Sequence, residues 1–273
     1  MDNSFEFFPP KTLEGKAKLR STWQELAALK PRFFSCTFGA GGSTREGTLE
    51  TVLEIRAAGH EAAPHLSCIA STRKDLAEQL ERYRSNGIRH LVALRGDLPS
   101  GIAAAGELRY ASELVSFVRE KTGDWFRIEV ACYPEYHPQT RNAADEVRNF
   151  KRKVDAGADS AITQYFYNAD AYFRFVDEAR RAGIGIPIVP GIMPISNFAQ
   201  LARFSDACGA EIPRWIRKRL EGYGDDIASI RAFGLDVVTD LADDLLARGA
   251  PGLHFYTLNQ AALTTTIWQR LGI

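Results

Sequence analysis

Residue types suited to acid–base, electrostatic and anion-binding chemistry recur just after short apolar runs: Glu6, Thr37, His65, Arg95-Gly96-Asp97, Tyr133 with His137, Gln164, and Tyr256 with Asn259. Glu6 lies in Ser4-Phe5-Glu6-Phe7-Phe8-Pro9-Pro10. Side chains alternate along a strand, so Phe5 and Phe7 face away from Glu6. A strand buried on both faces strips the carboxyl of water, raises its pKa and keeps a proton on it near neutrality, as a general acid requires. The alternative is a carboxylate paired with a buried Arg or Lys, and position alone does not choose between them. In Arg95-Gly96-Asp97, Arg can fork onto a phosphate or carboxylate. Gly96 permits close backbone approach to a ligand, and Asp97 can stabilise a developing cation. An Arg–Asp pair that merely ties down a loop fits the same tripeptide.

Other patterns are less specific. Phe38-Gly39-Ala40-Gly41-Gly42-Ser43-Thr44 is glycine-rich, but Thr44 stands where a dinucleotide fingerprint needs its last glycine, and no G-K-[ST] follows. Its amides could meet a ligand at a helix N-terminus, or it could be a plain turn capped by Ser43 or Thr44. His65, His137 and Asp97 lack metal-ligand spacing, so no metal is expected. No predicted strand ends in Lys, which argues against Schiff-base chemistry. Glu146 and Lys153 lie two helical turns apart on one face, with Arg152 beside them. They could grip a ribose and a pyrophosphate, or form an ordinary solvated face.

The elements that must position these groups are legible as an alternation. Short runs rich in Val, Ile and aromatics occupy residues 4–8, 32–38, 61–67, 89–95, 126–133, 160–164, 186–190 and 253–257. Helical-period segments lie between them at 16–30, 44–58, 72–86, 111–121, 142–156 and 169–182. Val147, Phe150 and Val154 give the fifth helix one apolar stripe. Eight strands with helices between them predict an α/β fold: one (β/α)8 TIM barrel over residues 1–273, with extra helical pieces at 197–205, 213–222 and 225–249 between strands seven and eight. A doubly wound open sheet is the alternative. Barrel active sites gather at the carboxyl ends of the strands, where the polar groups above fall.

Composition narrows the class. The 273 residues suit a single barrel, and 34 basic side chains balance 34 acidic ones. No basic excess points to nucleic acid. The patch Arg148, Lys151, Arg152, Lys153 suits a small phosphate-bearing ligand. Cys36, Cys68, Cys132 and Cys208 form no C-x-x-C pair and read as free thiols in a reducing compartment. No secretory pattern and no membrane-length apolar stretch is visible, so a cytoplasmic location is expected.

Together these motifs resemble a known family. Ser4-Phe5-Glu6-Phe7-Phe8-Pro9-Pro10, Ala63-Pro64-His65-Leu66, Ala93-Leu94-Arg95-Gly96-Asp97, Tyr133-Pro134-Glu135, Lys151 to Ala158, Ile162-Thr163-Gln164, Pro190-Gly191-Ile192-Met193-Pro194 and His254 to Asn259 occur in the order seen in bacterial methylenetetrahydrofolate reductases. The resemblance implies FAD at the barrel mouth, NADH or NADPH as co-substrate, and a ping-pong reduction of 5,10-methylenetetrahydrofolate to 5-methyltetrahydrofolate. It implies Glu6 as general acid and Asp97 as the group that favours the cationic iminium. For the cofactor it implies Thr37, Phe38, Ala40, His65, Leu94, Arg95, Gly96, Asp97, Ala111, Tyr133, His137, Thr140, Glu146, Asn149, Arg152 and Lys153. For the folate it implies Glu6, Asp97, Gln164, Gln200, Phe204 and Gln260.

Some positions depart from the family pattern. Phe38 replaces a Tyr, Glu146 replaces an Asp, and Gln260 stands where relatives often carry Arg. The resemblance also implies a homo-oligomer and favours NADH. The chain end soon after strand eight leads us to expect no regulatory domain and no inhibition by S-adenosylmethionine. The rival readings are a folate-dependent barrel methyltransferase, a flavin-free reductase with direct hydride transfer, and a binding module that has lost its chemistry.

Overall fold

The computed structural model describes residues 1–38, 45–96 and 106–273. Strands and helices alternate through the first two thirds of the chain: β1 (Ser4–Phe7), α1 (Leu13–Ala27), β2 (Phe33–Cys36), α2 (Arg45–Ala57), β3 (Ala62–Ser67), α3 (Arg73–Ser85), β4 (His90–Leu94), α4 (Ala111–Thr122), β5 (Arg127–Cys132), α5 (Ala143–Asp155), β6 (Ser160–Thr163) and α6 (Ala169–Arg181). There follow β7 (Ile188–Val189), β8 (Gly191–Ile192), α7 (Phe198–Cys208), α8 (Arg214–Tyr223), α9 (Ile227–Ala247), β9 (His254–Tyr256) and α10 (Ala262–Leu271). Caps begin several helices where propensity alone would not. Thr72 accepts from the Asp75 N–H in a capping box, and Asn142 and Asn197 accept from Asp145 and Gln200.

All strand pairs are parallel, in the order β7-β6-β5-β4-β3-β2-β1-β9-β8. The two ends of this order, β7 and β8, are separated in sequence only by Pro190. They are two halves of one interrupted strand, and the barrel closes through it. The run at 186–190, expected as a single strand, is corrected accordingly. Proline has no N–H for the ladder, so the pairing changes partner there. Ala161 N–H donates to Pro187 O on one side, and His254 N–H donates to Pro190 O on the other, both at 2.9 Å.

Most apolar burial lies between sheet and helices, where Phe5, Phe7 and Phe34 pack beneath the helical layer. The barrel interior holds a smaller cluster of Phe33, Ala63, Val92 and Ile162, with Leu94 and Tyr256 against it. Polar groups sit on both sides of it. Toward the amino ends of the strands, Glu129 contacts His90 Nε2 at 3.0 Å and Arg127 Nε at 3.3 Å, and accepts a short bond from Ser160 Oγ. These contacts hold the Glu129 carboxyl down at about 2 against the opposing effect of burial. The Phe33 ring lies 4.2 Å from His90 and 6.3 Å from His254, and so partitions this lower cluster from the one near the mouth.

The helices α7, α8 and α9 fall where extra helical pieces were expected, between the seventh strand and the last. The first helix begins at Leu13, capped by Thr12, earlier than expected. Helix α10 was not anticipated. Its apolar signal is short (Ile267 and Trp268 are its buried hydrophobics), and Thr264, Thr265 and Thr266 are poor helix formers. Trp268 nonetheless packs 5.5 Å from Phe5 and seals the outside of β1.

Candidate active site

Glu6 projects into the barrel from β1, as alternation requires. Its Oε2 lies 3.3 Å from His65 Nε2 on β3 and 3.3 Å from His254 Nε2 on β9. Burial by itself raises a carboxyl pKa. Here it is the largest single influence on Glu6, yet the two imidazoles together outweigh it and pull the pKa down to about 2. The direction is opposite to the rise expected from burial alone: beside two imidazoles the Glu6 carboxyl is drawn toward its charged form. Its partners are two histidines rather than the Arg or Lys considered from sequence. His254 Nδ1 is in turn 2.7 Å from Ser4 Oγ. With the Ser4 hydroxyl donating, the Nε2 proton of His254 points at Glu6.

Above Glu6 opens a cavity of about 450 Å³, lined by Glu6, Phe7, Phe8, Arg95, Tyr133, His137, Gln164, Tyr165, Met193, Phe204 and Tyr256 among others. The Gln164 side-chain carbonyl accepts from the Tyr165 N–H at 3.0 Å, which leaves its amide N–H groups free to donate. Phe204 is 38% exposed on α7, an apolar face presented to the opening. Tyr256 spans part of the barrel and donates to Thr163 O at 2.8 Å. Gly191 makes room for it, because a Cβ there would collide with Thr163 O and the Tyr256 ring.

A second cavity of about 710 Å³ adjoins the first and shares Arg95, Tyr133, His137 and Gln139 with it. Leu94, Gly96, Ala111, Thr140, Glu146, Asn149, Arg152 and Lys153 also line it. Lys153 Nζ donates to Ala131 O at 2.7 Å and lies 5.7 Å from the Tyr133 ring. Burial lowers the Lys153 pKa, against the opposing charge of Glu146. Glu146 is 2% exposed, and its Oε2 accepts from Thr140 Oγ1 at 2.7 Å and the His137 N–H at 3.2 Å. It thereby fixes the loop before α5. Arg95 Nη1 donates to Gln139 Oε1 at 2.5 Å. Gly96 has φ +84°, and a Cβ there would strike Ser67 Oγ. Strand β3, as well as any ligand, demands glycine at this position.

The structure thus brings most of the expected cofactor positions onto one cavity and Glu6, Gln164 and Phe204 onto the other. Thr37 and Phe38 line neither: the Thr37 N–H is spent on Phe7 O at 2.8 Å, and Phe38 lies under Arg45. His65 is 4% exposed and faces Glu6 inside the barrel rather than the larger cavity. Gln200 lies on α7 outside both linings, and Gln260 lines a separate crevice with Leu263 and Thr264. Ala40 and Asp97 lie outside the described residues, as does the glycine-rich turn from Gly39 to Thr44. Asn259, flagged as a strand-end polar group, exchanges two hydrogen bonds with the Phe8 backbone at 3.0 and 2.8 Å and so clamps the last strand to the first. Sequence reasoning missed Pro138, Gln139, Ala207 and Cys208, which lie on a loop and at a helix end with no motif to mark them. It also passed over Tyr165, directly after Gln164. Among the described residues no His, Cys, Asp and Glu groups converge as metal donors, and no helix is long and apolar enough to cross a membrane.

Comparison with known proteins gives a consistent result. The family model for methylenetetrahydrofolate reductase matches residues 1–272. The 5,10-methylenetetrahydrofolate reductase of Escherichia coli (strain K12) is 43% identical over 271 residues, covering 99% of this chain and 90% of the relative. Methylenetetrahydrofolate reductase (NADH) 1 of Arabidopsis thaliana is 39% identical over 284 residues, and there the match spans 48% of the relative's length. Among solved structures, a protein from Clostridium thermocellum described as binding two copies of 5-methyl-5,6,7,8-tetrahydrofolic acid superposes with a TM-score of 0.68 at 16% identity. It covers 97% of this chain and 92% of its own, which supports the barrel fold.

Proposed function

The chain belongs to the methylenetetrahydrofolate reductase family, oxidoreductases that reduce 5,10-methylenetetrahydrofolate to 5-methyltetrahydrofolate, and we propose that it does so through a bound FAD recharged by NADH, with Glu6 handling the proton. One observation carries this reading: a half-buried Glu6, with two histidines 3.3 Å from its Oε2, lies at the floor of one cavity while a cation-lined second cavity opens beside it.

The larger cavity suits a flavin dinucleotide. Arg95, Arg152 and Lys153 supply positive charge for a pyrophosphate. Asn149 and the remaining oxygen of Glu146 suit a ribose, and Tyr133 offers an aromatic face where the two cavities meet. A flavin held there supplies two-electron hydride transfer at the junction. The smaller cavity then takes the nicotinamide and the pterin in turn. Gln164 donates its amide N–H to either ligand, and Phe204 covers the ring. Both organise the ligand without reacting.

The proton follows from the Glu6 cluster. A pterin seated over Glu6 excludes water and brings a basic bridging nitrogen beside the carboxylate, which raises the carboxyl's affinity for a proton. The Glu6 carboxylate takes up a proton from solvent as the pterin binds, with His65 and His254 beside its Oε2. Glu6 gives that proton to the bridging nitrogen as its bond to the one-carbon bridge breaks, the five-membered ring opens, and the exposed iminium carbon accepts hydride. Asp97, by its place in the family pattern, offsets the iminium charge.

The test is an absorption spectrum of the purified protein, followed by anaerobic NADH and then 5,10-methylenetetrahydrofolate. A flavin spectrum that NADH bleaches and the folate restores is expected. A colourless protein with full folate reductase activity would replace the flavin with direct hydride transfer from the nicotinamide. A protein that binds both ligands but never oxidises NADH would remove the catalytic reading altogether.

A further inference from the structure

We propose that Glu135 is a positioning residue for the substrate: its carboxylate pins the carboxyl end of α7, and through α7 sets the faces that close the smaller cavity. This deepens the reading of that cavity as the folate site and rests on it. Phe204, Ala207 and Cys208 line the cavity from α7. Their spacing puts them on one face of the helix, so a small tilt of α7 moves all of them together.

Three observations locate the pin. Glu135 Oε2 accepts the Glu211 N–H at 2.7 Å, in the segment that leaves α7. That N–H lies between the buried Ala210 and Ile212. Gly209 ends α7 in the left-handed region at φ +78°, and a Cβ on it would sit 3.0 Å from Pro138 Cγ, so the helix end lies directly on the loop that follows β5. Tyr136, a non-glycine residue at φ +72°, turns that loop between Glu135 and His137. A side chain in this region costs conformational energy and persists only where its surroundings enforce it. Arg174 braces the loop, donating to Pro134 O at 3.4 Å and lying 5.8 Å from the Tyr136 ring. The loop is therefore a strut. On one side Tyr133 and His137 line both cavities, and on the other Glu135 holds the helix that covers the substrate. Glu135 touches no ligand in this scheme and acts through α7.

The experiment compares Glu135→Ala and Glu135→Gln with the unmodified protein in two assays: NADH-dependent reduction of 5,10-methylenetetrahydrofolate, and NADH-dependent reduction of menadione, which bypasses the folate. Loss of this hydrogen bond predicts a folate KM about tenfold higher in Glu135→Ala, with folate kcat and, at saturating NADH, menadione turnover within about twofold of the unmodified protein. Glu135→Gln keeps a carbonyl that can accept the Glu211 N–H, and its KM should return to the unmodified value. An unchanged KM in Glu135→Ala, an equal loss in both assays, or no rescue by Gln would overturn the proposal. Should Glu135→Ala fail to fold, Gly209→Ala attacks the same junction from the other side, and the same selective rise in folate KM is expected. An unmodified protein that reduces menadione but no folate would overturn the reading of the cavity itself.

Discussion

Glu6 shows how little of a carboxyl's behaviour is set by burial alone. Removal from water would keep it neutral, and two imidazoles reverse the outcome. On the role proposed for Glu6, its carboxylate therefore takes up a proton only as substrate arrives. Glu6→Gln should lower folate reduction by about 10²- to 10⁴-fold, the range for removing a positioned general acid. NADH-dependent menadione reduction should remain near normal. Steady-state assays of the two reactions decide this, and parallel loss of both would deny Glu6 the role. The position of Glu6 was legible in the sequence, because strand alternation needs only near neighbours. Its charge state was not, because Glu6 and His254 meet across 248 positions of sequence. Gly96, read as a ligand-approach residue, lines the larger cavity, and what the sequence could not show is that its neighbour Ser67 also forbids a side chain there.

Among the elements, the seventh strand departs furthest from expectation. The apolar side chains Ile186, Ile188 and Val189 give no hint that the ladder changes partner at Pro190, because pairing is decided by the register of β6 and β9. The proline itself was the available sign, since a residue without an N–H cannot sit in the middle of a ladder. Gly191, next in line, leaves the space through which Tyr256 reaches Thr163. Gly191→Ala should cost about 1–3 kcal/mol, the range for overpacking a filled core, and should lower folate turnover by displacing Tyr256 from the cavity floor. Urea unfolding monitored by circular dichroism measures the first effect. A variant as stable as the parent would show that the strand yields there. The helices were more legible than the strands. Caps such as Thr72 and Asn142 mark their starts locally, whereas α10, with few buried apolar residues and a run of threonines, gave almost no periodic signal.

At the scale of the whole molecule, the barrel interior carries two carboxylate–histidine clusters separated by Phe33, and the lower one bears on stability. The folded-state pKa of Glu129 is depressed from 4.5 to about 2. A depressed carboxyl stabilises the fold above its unfolded pKa, and that contribution disappears as pH falls from about 4.5 toward 2. A shift of this size corresponds to on the order of 3 kcal/mol. Urea midpoints should therefore drop steeply between about pH 5 and pH 3. Glu129→Gln should be less stable at neutral pH, since it breaks a buried ion pair, but should show a shallower acid slope. Equal slopes would mean that other carboxylates govern acid unfolding. The overall architecture was readable because alternating strand and helix patterns admit few folds.

Strand β1 lies between β2 and β9. Strand β1 thus cannot pair with one of its two neighbours until β9, about 250 positions later, has been made. Loop closure across such a distance is entropically costly and tends to come late. The Glu6 cluster shares that fate, for the Ser4–His254–Glu6 contacts join β1 to β9. On the role proposed for Glu6, a chain that stops short of His254 lacks one of the two imidazoles beside that carboxylate even if most of its helices have already formed.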